Sequence, residues 1–367
     1  MRKVIIASDS FKGTLSSVAI STIFKRVWNE RFPDCEVITI PIADGGEGTC
    51  ECFDHLLTGK WVKVETIDAN WNPIVADYFL FGDKAIIEMS SVVGLPNTKI
   101  KNPMIATTYG LGKLVKNAVE NGAKTIVVGM GDTSTNDAGC GFASSLGVVF
   151  KNGDGEEFVP TGGTLKDINY IEIPNLLDGI KIIGMSDVKN PLYGPNGAAY
   201  VYAPQKGADE AMTKTLDDGL VHLGENVSEE LSDIPGAGAA GGFGFGLMAF
   251  FNAELKSGIE TILDISDFDD ALKDSDLVIS GEGRLDSQSF SGKAIDGICK
   301  RTKAAGVPLT LIVGSATEEG LQIAKEHGIE SIYITTPLGA SKDDMIDNAG
   351  LYYENAVNAF IDSLNKR

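Results

Sequence analysis

Apolar runs of strand length, separated by stretches with helical spacing, mark both ends of this chain, while the middle follows another period. Residues 4–7 form a first apolar run, and residues 16–31 carry apolar positions at helical spacing, with Thr14 or Ser16 to cap them and Pro33 beyond. Residues 37–40 read as a second strand and residues 48–57 as a helix after a glycine-rich turn. From about residue 265 the alternation returns, with strands at 277–279, 309–313 and 332–335 and helices at 293–304, 319–327 and 343–364. Runs this short and this apolar suit parallel strands covered on both faces. Two at the start and three at the end are enough for a flavodoxin-like sheet.

In the middle, residues 61–67 and 74–81 alternate with period two and are joined by residues 68–73, the pattern of a hairpin. Strands follow at 85–89, 125–128, 148–150, 180–184 and 199–202, with helices at 107–121, 139–146, 209–231 and 239–255. The expected class is α/β: a flavodoxin-like parallel-sheet domain of residues 1–58 and 262–367, with a second mixed α/β domain, residues 59–261, inserted into it.

Charge narrows the partners. Of 367 residues, 31 are Lys or Arg and 51 are Asp or Glu, a net charge of −20, which repels nucleic acid and anionic membranes. A local basic pocket still admits a small anion. Five cysteines without a CxxC pair suit a reducing, cytoplasmic setting rather than a disulfide framework or a zinc site. The three histidines are scattered and stand in no motif. Residues 234–253 carry no charge over membrane-spanning length, but Pro235 and the glycines around it read as a loop entering a buried helix, so no membrane partner is expected.

Candidate chemistry follows the strands. Residues 277–293, LVISGEGRLDSQSFSGK, pass from an apolar run through Gly281 to Glu282, Arg284 and Asp286 at alternate positions. Ligands bind beyond the carboxyl ends of such strands. There a carboxylate can hold a cation, and a guanidinium can grip an anion with two hydrogen bonds. Asp9–Gly13 brings Lys12 to the end of the first strand. Asp44–Thr49 joins three glycines to two acids, which suit a cation or a substrate hydroxyl. Gly129–Asp137 combines glycines, hydroxyls and acids as an anion-binding nest does. Ser186–Pro191 contains Asp187, a candidate base or metal ligand, and Ala203–Gly207 supplies Lys206. Gly236–Gly241 matches GxGxxG, but the residues before it do not read as a strand. There is no Walker A motif and no protein-kinase HRD or DFG set.

Seven ordered motifs carry a resemblance: IASDSFKGTLSS at 6–17, PIADGGEGT at 41–49, GDTSTNDAGCG at 131–141, SDVKNPLYGPNGA at 186–198, APQKGA at 203–208, PGAGAAGGFGFGL at 235–247 and GEGRLDSQSFSGK at 281–293. Through them the chain resembles the bacterial glycerate kinase family, of the type that phosphorylates glycerate at the 2-hydroxyl. The resemblance implies a two-domain α/β fold with the active site between the domains. It also implies ATP and Mg²⁺ as co-reactants and D-glycerate as acceptor. The sequence itself leaves room for a homodimer. The chain departs from the family pattern at Ser8, Asp132, Ser186 and Lys189.

Residue chemistry then distributes the roles. Phosphoryl transfer is mostly positioning and charge neutralisation. Arg284 is expected to clamp the glycerate carboxylate, with Lys12, Asp44 and Gln288 beside it. Asp187 or Asp286 is expected to accept the hydroxyl proton, and Glu282 and Asp137 to hold Mg²⁺. Lys12 and Lys206 would neutralise phosphates. Gly131, Thr133, Ser134, Asn136, Gly238, Gly241 and Gly242 would line the nucleotide phosphates, chiefly through backbone N–H groups. Two rivals stand beside this reading: an NAD-dependent 2-hydroxyacid dehydrogenase using Gly236–Gly241, and a non-catalytic sensor of phosphorylated small acids.

Overall fold

Five parallel strands lie side by side in the computed structural model, in the order Glu36–Thr39, Lys3–Ile6, Leu277–Ser280, Leu309–Val313 and Ile332–Ile334. Numbered by position in the chain, that order is 2-1-3-4-5, the flavodoxin-like arrangement. The structure describes every residue except 12, 44, 47, 175, 176 and 365–367. These strands belong to the first of two units, made of Met1–Asp44, Glu51–Leu56 and Ser257–Arg367. Both faces of the sheet are covered. Val4, Ile6 and Ile279 pack with Phe24, Trp28, Tyr353 and Phe360 of the helices Ser17–Arg31 and Ala349–Leu364. Leu311 and Val313 pack with Leu285, Ile295, Cys299 and Ala324. Each buried Val, Leu or Ile of this kind contributes about 1.5–3 kcal/mol. The helix Ser17–Arg31 starts where Ser16, in extended backbone, accepts the Ala19 N–H at 3.2 Å.

The second unit comprises Gly45–Cys50 and Leu57–Lys256. Its six-stranded sheet runs Glu254–Lys256, Lys181–Met185, Thr125–Gly129, Lys84–Glu88, Pro73–Phe81 and Lys60–Ile67. The first four are parallel to one another, and the last two form the antiparallel hairpin read from the period-two alternation. A small antiparallel sheet of Val149–Lys151, Glu157–Phe158 and Tyr170–Glu172 lies apart from it. Helix Tyr109–Glu120 buries Leu111, Leu114, Val115 and Ala118 against Tyr78, Ile87 and Val128 of the large sheet.

Four elements differ from expectation. Residues 199–202 are not a strand: Ala198–Tyr202 is a short helix that buries Ala198 and Ala199 and leaves Tyr200 and Val201 exposed, a helical rather than an alternating pattern. The long apolar helix stops at Phe251 because Asn252 turns left-handed (φ 51°), and Glu254–Lys256 then leaves as the edge strand of the sheet. Residues 209–231 divide at Ser228, whose extended backbone ends Glu210–Val227 and whose hydroxyl caps Glu229–Ser232. Residues 343–364 divide at Asn348 into Lys342–Asp347 and Ala349–Leu364.

Candidate active site

The first unit's sheet grows in opposite directions from the adjacent strands Lys3–Ile6 and Leu277–Ser280, which makes their carboxyl ends the topological switch point where open α/β sheets bind ligands. The loops leaving the two strands are tied together. Ala7 N–H donates to Ile279 O at 2.8 Å, Asp9 N–H to Gly281 O at 2.9 Å and the Ser8 hydroxyl to Gly281 O at 3.1 Å. Gly281 is required there, because a Cβ would stand 1.8 Å from the Ile312 carbonyl oxygen. Glu282 follows, half-buried, and its Oε1 is buried without a hydrogen-bond partner. Burial raises its carboxyl pKa above the usual glutamate value; the Ser289 hydroxyl and the Lys293 charge oppose this, and the Asp286 charge adds to it. Arg284 is exposed and opens the two-residue strand Arg284–Leu285, which pairs with Ser315–Ala316. Gln288 is exposed beyond it.

Asp286 is differently engaged. It caps the turn Ser287–Phe290, accepting the Gln288 N–H at 2.9 Å while its own N–H donates to Ser289 Oγ at 2.9 Å. That is a capping box. A carboxylate so bonded is a weak candidate for the base expected of it.

In the second unit, Gly45 and Gly46 lie across the carboxyl ends of Thr125–Gly129 and Lys181–Met185. Gly131 N–H donates to Gly45 O at 2.9 Å, and a Cβ on Gly131 would stand 2.4 Å from Gly46 Cα. The loop after Gly131 is fastened along its length. The Ser134 N–H and hydroxyl both reach Val93 O at 2.9 Å. Ala138 N–H donates to Gly241 O, and Gly238 N–H to Asn190 O. Asp187 is half-buried just past the strand Lys181–Met185.

Two buried ionisable groups pin this loop. Lys206 Nζ donates to Thr135 O at 2.6 Å and to Thr133 Oγ1 at 3.3 Å, and the residue is 2% exposed. Burial pulls its pKa down to about 7, while the Asp137 charge resists the fall. Asp137 is fully buried. Its carboxylate accepts the Thr108 N–H and hydroxyl, both at 2.8 Å, and the N–H groups of Gly139 and Gly141, both at 3.2 Å. Burial raises its pKa and these hydrogen bonds pull it back. Between the two pins, Thr135 Oγ1 and both polar atoms of the Asn136 side chain are buried without partners.

The family model described as the glycerate kinase family matches residues 4–365. The chain belongs to the glycerate kinase family. It is 39% identical over 345 residues to a glycerate kinase of Bacillus cereus, covering 91% of this chain and 90% of the relative. It is also 39% identical over 355 residues to the glycerate 2-kinase of Escherichia coli, covering 92% and 91%. A solved structure assigned as glycerate kinase 2 of Salmonella typhimurium LT2 superposes with a TM-score of 0.88 at 32% identity, covering 100% of this chain and 98% of that one. The chain is thus an enzyme of the glycerate kinase family, a phosphotransferase acting on an alcohol group. The dehydrogenase rival also loses its structural basis, because Gly236–Gly241 follows the helix Glu229–Ser232 rather than a strand.

Within that family frame several expected contributions change. The N–H groups of Gly131, Ser134, Gly238 and Gly242 are already bonded to protein carbonyls, so they are not free donors for phosphate. Gly241 (φ 71°) serves packing: a Cβ there would stand 2.1 Å from Thr135 O. Lys206 is sealed against the loop rather than open to an anion. Asp137 is bonded as a loop anchor rather than as a Mg²⁺ ligand. Lys12 and Asp44 lie outside the described residues.

Mg²⁺ is commonly held by one or two carboxylates together with substrate phosphates. Among the described residues no three His, Cys, Asp or Glu side chains gather into a metal cage. The unpartnered Glu282 Oε1 fits the sparser arrangement. Sequence reasoning missed Thr108, whose hydroxyl links Asp137 to the Phe142 N–H. It also missed Glu88, a buried carboxylate closing the strand Lys84–Glu88, which accepts the Cys50 N–H at 2.6 Å and the Ser90 hydroxyl at 3.2 Å. An acid ending an otherwise apolar strand was the available signal for Glu88; Thr108 offered none.

Proposed function

We propose that this chain transfers the γ-phosphoryl group of ATP to the 2-hydroxyl of D-glycerate, giving 2-phosphoglycerate and ADP, with Mg²⁺ as the assisting cation. The observation that carries this reading is the turn at the switch point, where a half-buried carboxylate oxygen without a partner on Glu282 is followed two residues later by the exposed guanidinium of Arg284. The named Escherichia coli glycerate 2-kinase supports the choice of hydroxyl.

Arg284 grips the glycerate carboxylate with its forked donors. Asp187 accepts the 2-hydroxyl proton as the oxygen attacks phosphorus and the bond to ADP breaks. Glu282 would hold Mg²⁺, which supplies neutralisation of phosphate charge when bound. Thr133 and Asn136 are the phosphate-side groups with side-chain polar atoms to offer. Lys206 and Asp137 hold the loop that carries them. Five free, buried cysteines suit a cytoplasmic setting, and no helix among the described residues is long and apolar enough to cross a membrane.

Release of ADP from ATP by the purified chain tests this. ADP should form with D-glycerate and Mg²⁺ and fall to background when either is withheld. ADP formation no faster with glycerate than without it would overturn the proposal.

A further inference from the structure

The strand Lys60–Ile67 ends the six-stranded sheet, and among the described residues its only ladder is the hairpin with Pro73–Phe81. Asp68 N–H donates to Asn72 O at 2.8 Å in register with that ladder. Antiparallel alternation therefore turns the backbone groups of the even-numbered residues toward the hairpin partner. It turns those of residues 61, 63, 65 and 67 outward. At the middle of this edge the outward backbone groups of Lys63 and Glu65 are a template for another strand.

Lysines on such an edge often prevent pairing, so the pattern of signs along the edge matters. The outward-facing backbone groups allow a two-fold pairing centred on residue 62, 63, 64, 65 or 66. Centring on Lys63 or Glu65 sets that charge against its own copy. Centring on Val64 sets Lys63 opposite the partner's Glu65 and Glu65 opposite the partner's Lys63. Lys63 and Glu65 are both exposed, on the face opposite Val62 and Val64, which pack against the core. In this register Val62 meets the partner's Thr66, and Val64 meets itself. The two Lys63–Glu65 pairs would form about four main-chain hydrogen bonds.

We infer that two copies of this chain pair antiparallel along the strand Lys60–Ile67, about a two-fold axis through Val64, joining their six-stranded sheets into one. The interface is isologous, so each side-chain contact occurs twice. A single charge reversal therefore replaces two attractive cross-strand pairs with two repulsive ones.

Sedimentation velocity on the full chain over a concentration series tests this. Wild type should sediment at twice the chain mass of 38.9 kDa. Lys63→Glu and Glu65→Lys should each weaken the dimer on the order of ten- to hundred-fold, and the double reversal Lys63→Glu/Glu65→Lys should restore it. Val64→Cys should give a covalent dimer on mild oxidation, since facing Cα atoms of a non-hydrogen-bonded pair lie within disulfide reach. A wild-type chain that stays monomeric overturns the inference. So does a dimer indifferent to both single reversals, a double reversal that remains monomeric, or a Val64→Cys chain that fails to cross-link.

Discussion

Lys206 Nζ stands 2.6 Å from the carbonyl oxygen of Thr135, 71 residues earlier in the chain, with the lysine almost wholly out of water. Burial lowers its pKa from 10.5 to about 7. Between those values the unfolded chain binds a proton that the folded chain lacks. This contribution to stability therefore rises with pH across the window and is lost as pH falls toward 7. Melting temperature measured from pH 7 to 10 should carry this slope, and Lys206→Met, which keeps the stem without the charge, should flatten it. An identical slope in the variant would show that the lysine keeps its proton when buried.

Asp137 gathers four hydrogen bonds from Thr108, Gly139 and Gly141. Asp137→Asn turns an amide donor toward groups that are themselves donors. The expected cost is about 1–3 kcal/mol, read as a melting point lower by several degrees. An unchanged melting point with the Mg²⁺ requirement altered would instead return Asp137 to the metal.

Gly241 and Gly82 both have positive φ, 71° and 53°, but only Gly241 is crowded. Gly82→Ala should cost about 1–2 kcal/mol, the left-handed backbone penalty alone. Gly241→Ala must also push Thr135 aside, adding on the order of 1–3 kcal/mol of overpacking and disturbing the loop of Thr133 and Asn136. Urea titration of both variants measures the difference. Equal losses would mean the Gly241 contact is easily relieved.

Arg284→Lys keeps the charge and loses the fork. Losing one charge-assisted hydrogen bond costs roughly 1.5–3 kcal/mol, on the order of ten- to hundred-fold in kcat/KM for glycerate. The KM for ATP should move far less. Loss of ATP binding with glycerate binding kept would assign Arg284 to the nucleotide.

The end strands were legible because strands covered on both faces must be short and apolar, and Leu277–Ser280 is buried at every position. The hairpin was legible from its period. Residues 198–202 were not, because five residues of Ala, Tyr and Val are too few to show a period, and the Gly197 turn that starts the helix has no unique mark. The edge strand Glu254–Lys256 was hidden because its signal is a left-handed turn at Asn252, a backbone choice that apolar patterning does not record. For the candidate site, residue types revealed where chemistry is concentrated but not how each group is bonded. Whether Asp137 faces a cation or Thr108 depends on a partner 29 residues away. Whether Asp286 is a base or a cap depends on how the backbone of Ser287–Phe290 turns.

The transfer itself and its position on the acceptor can be read together. A phosphorus NMR spectrum of the products formed from D-glycerate, ATP and Mg²⁺ tests both at once. ADP should appear together with a phosphate resonance coupled to the single proton on carbon 2. A resonance coupled to the two protons on carbon 3 would contradict the assignment of the hydroxyl, and no phosphoglycerate at all would contradict the transfer itself.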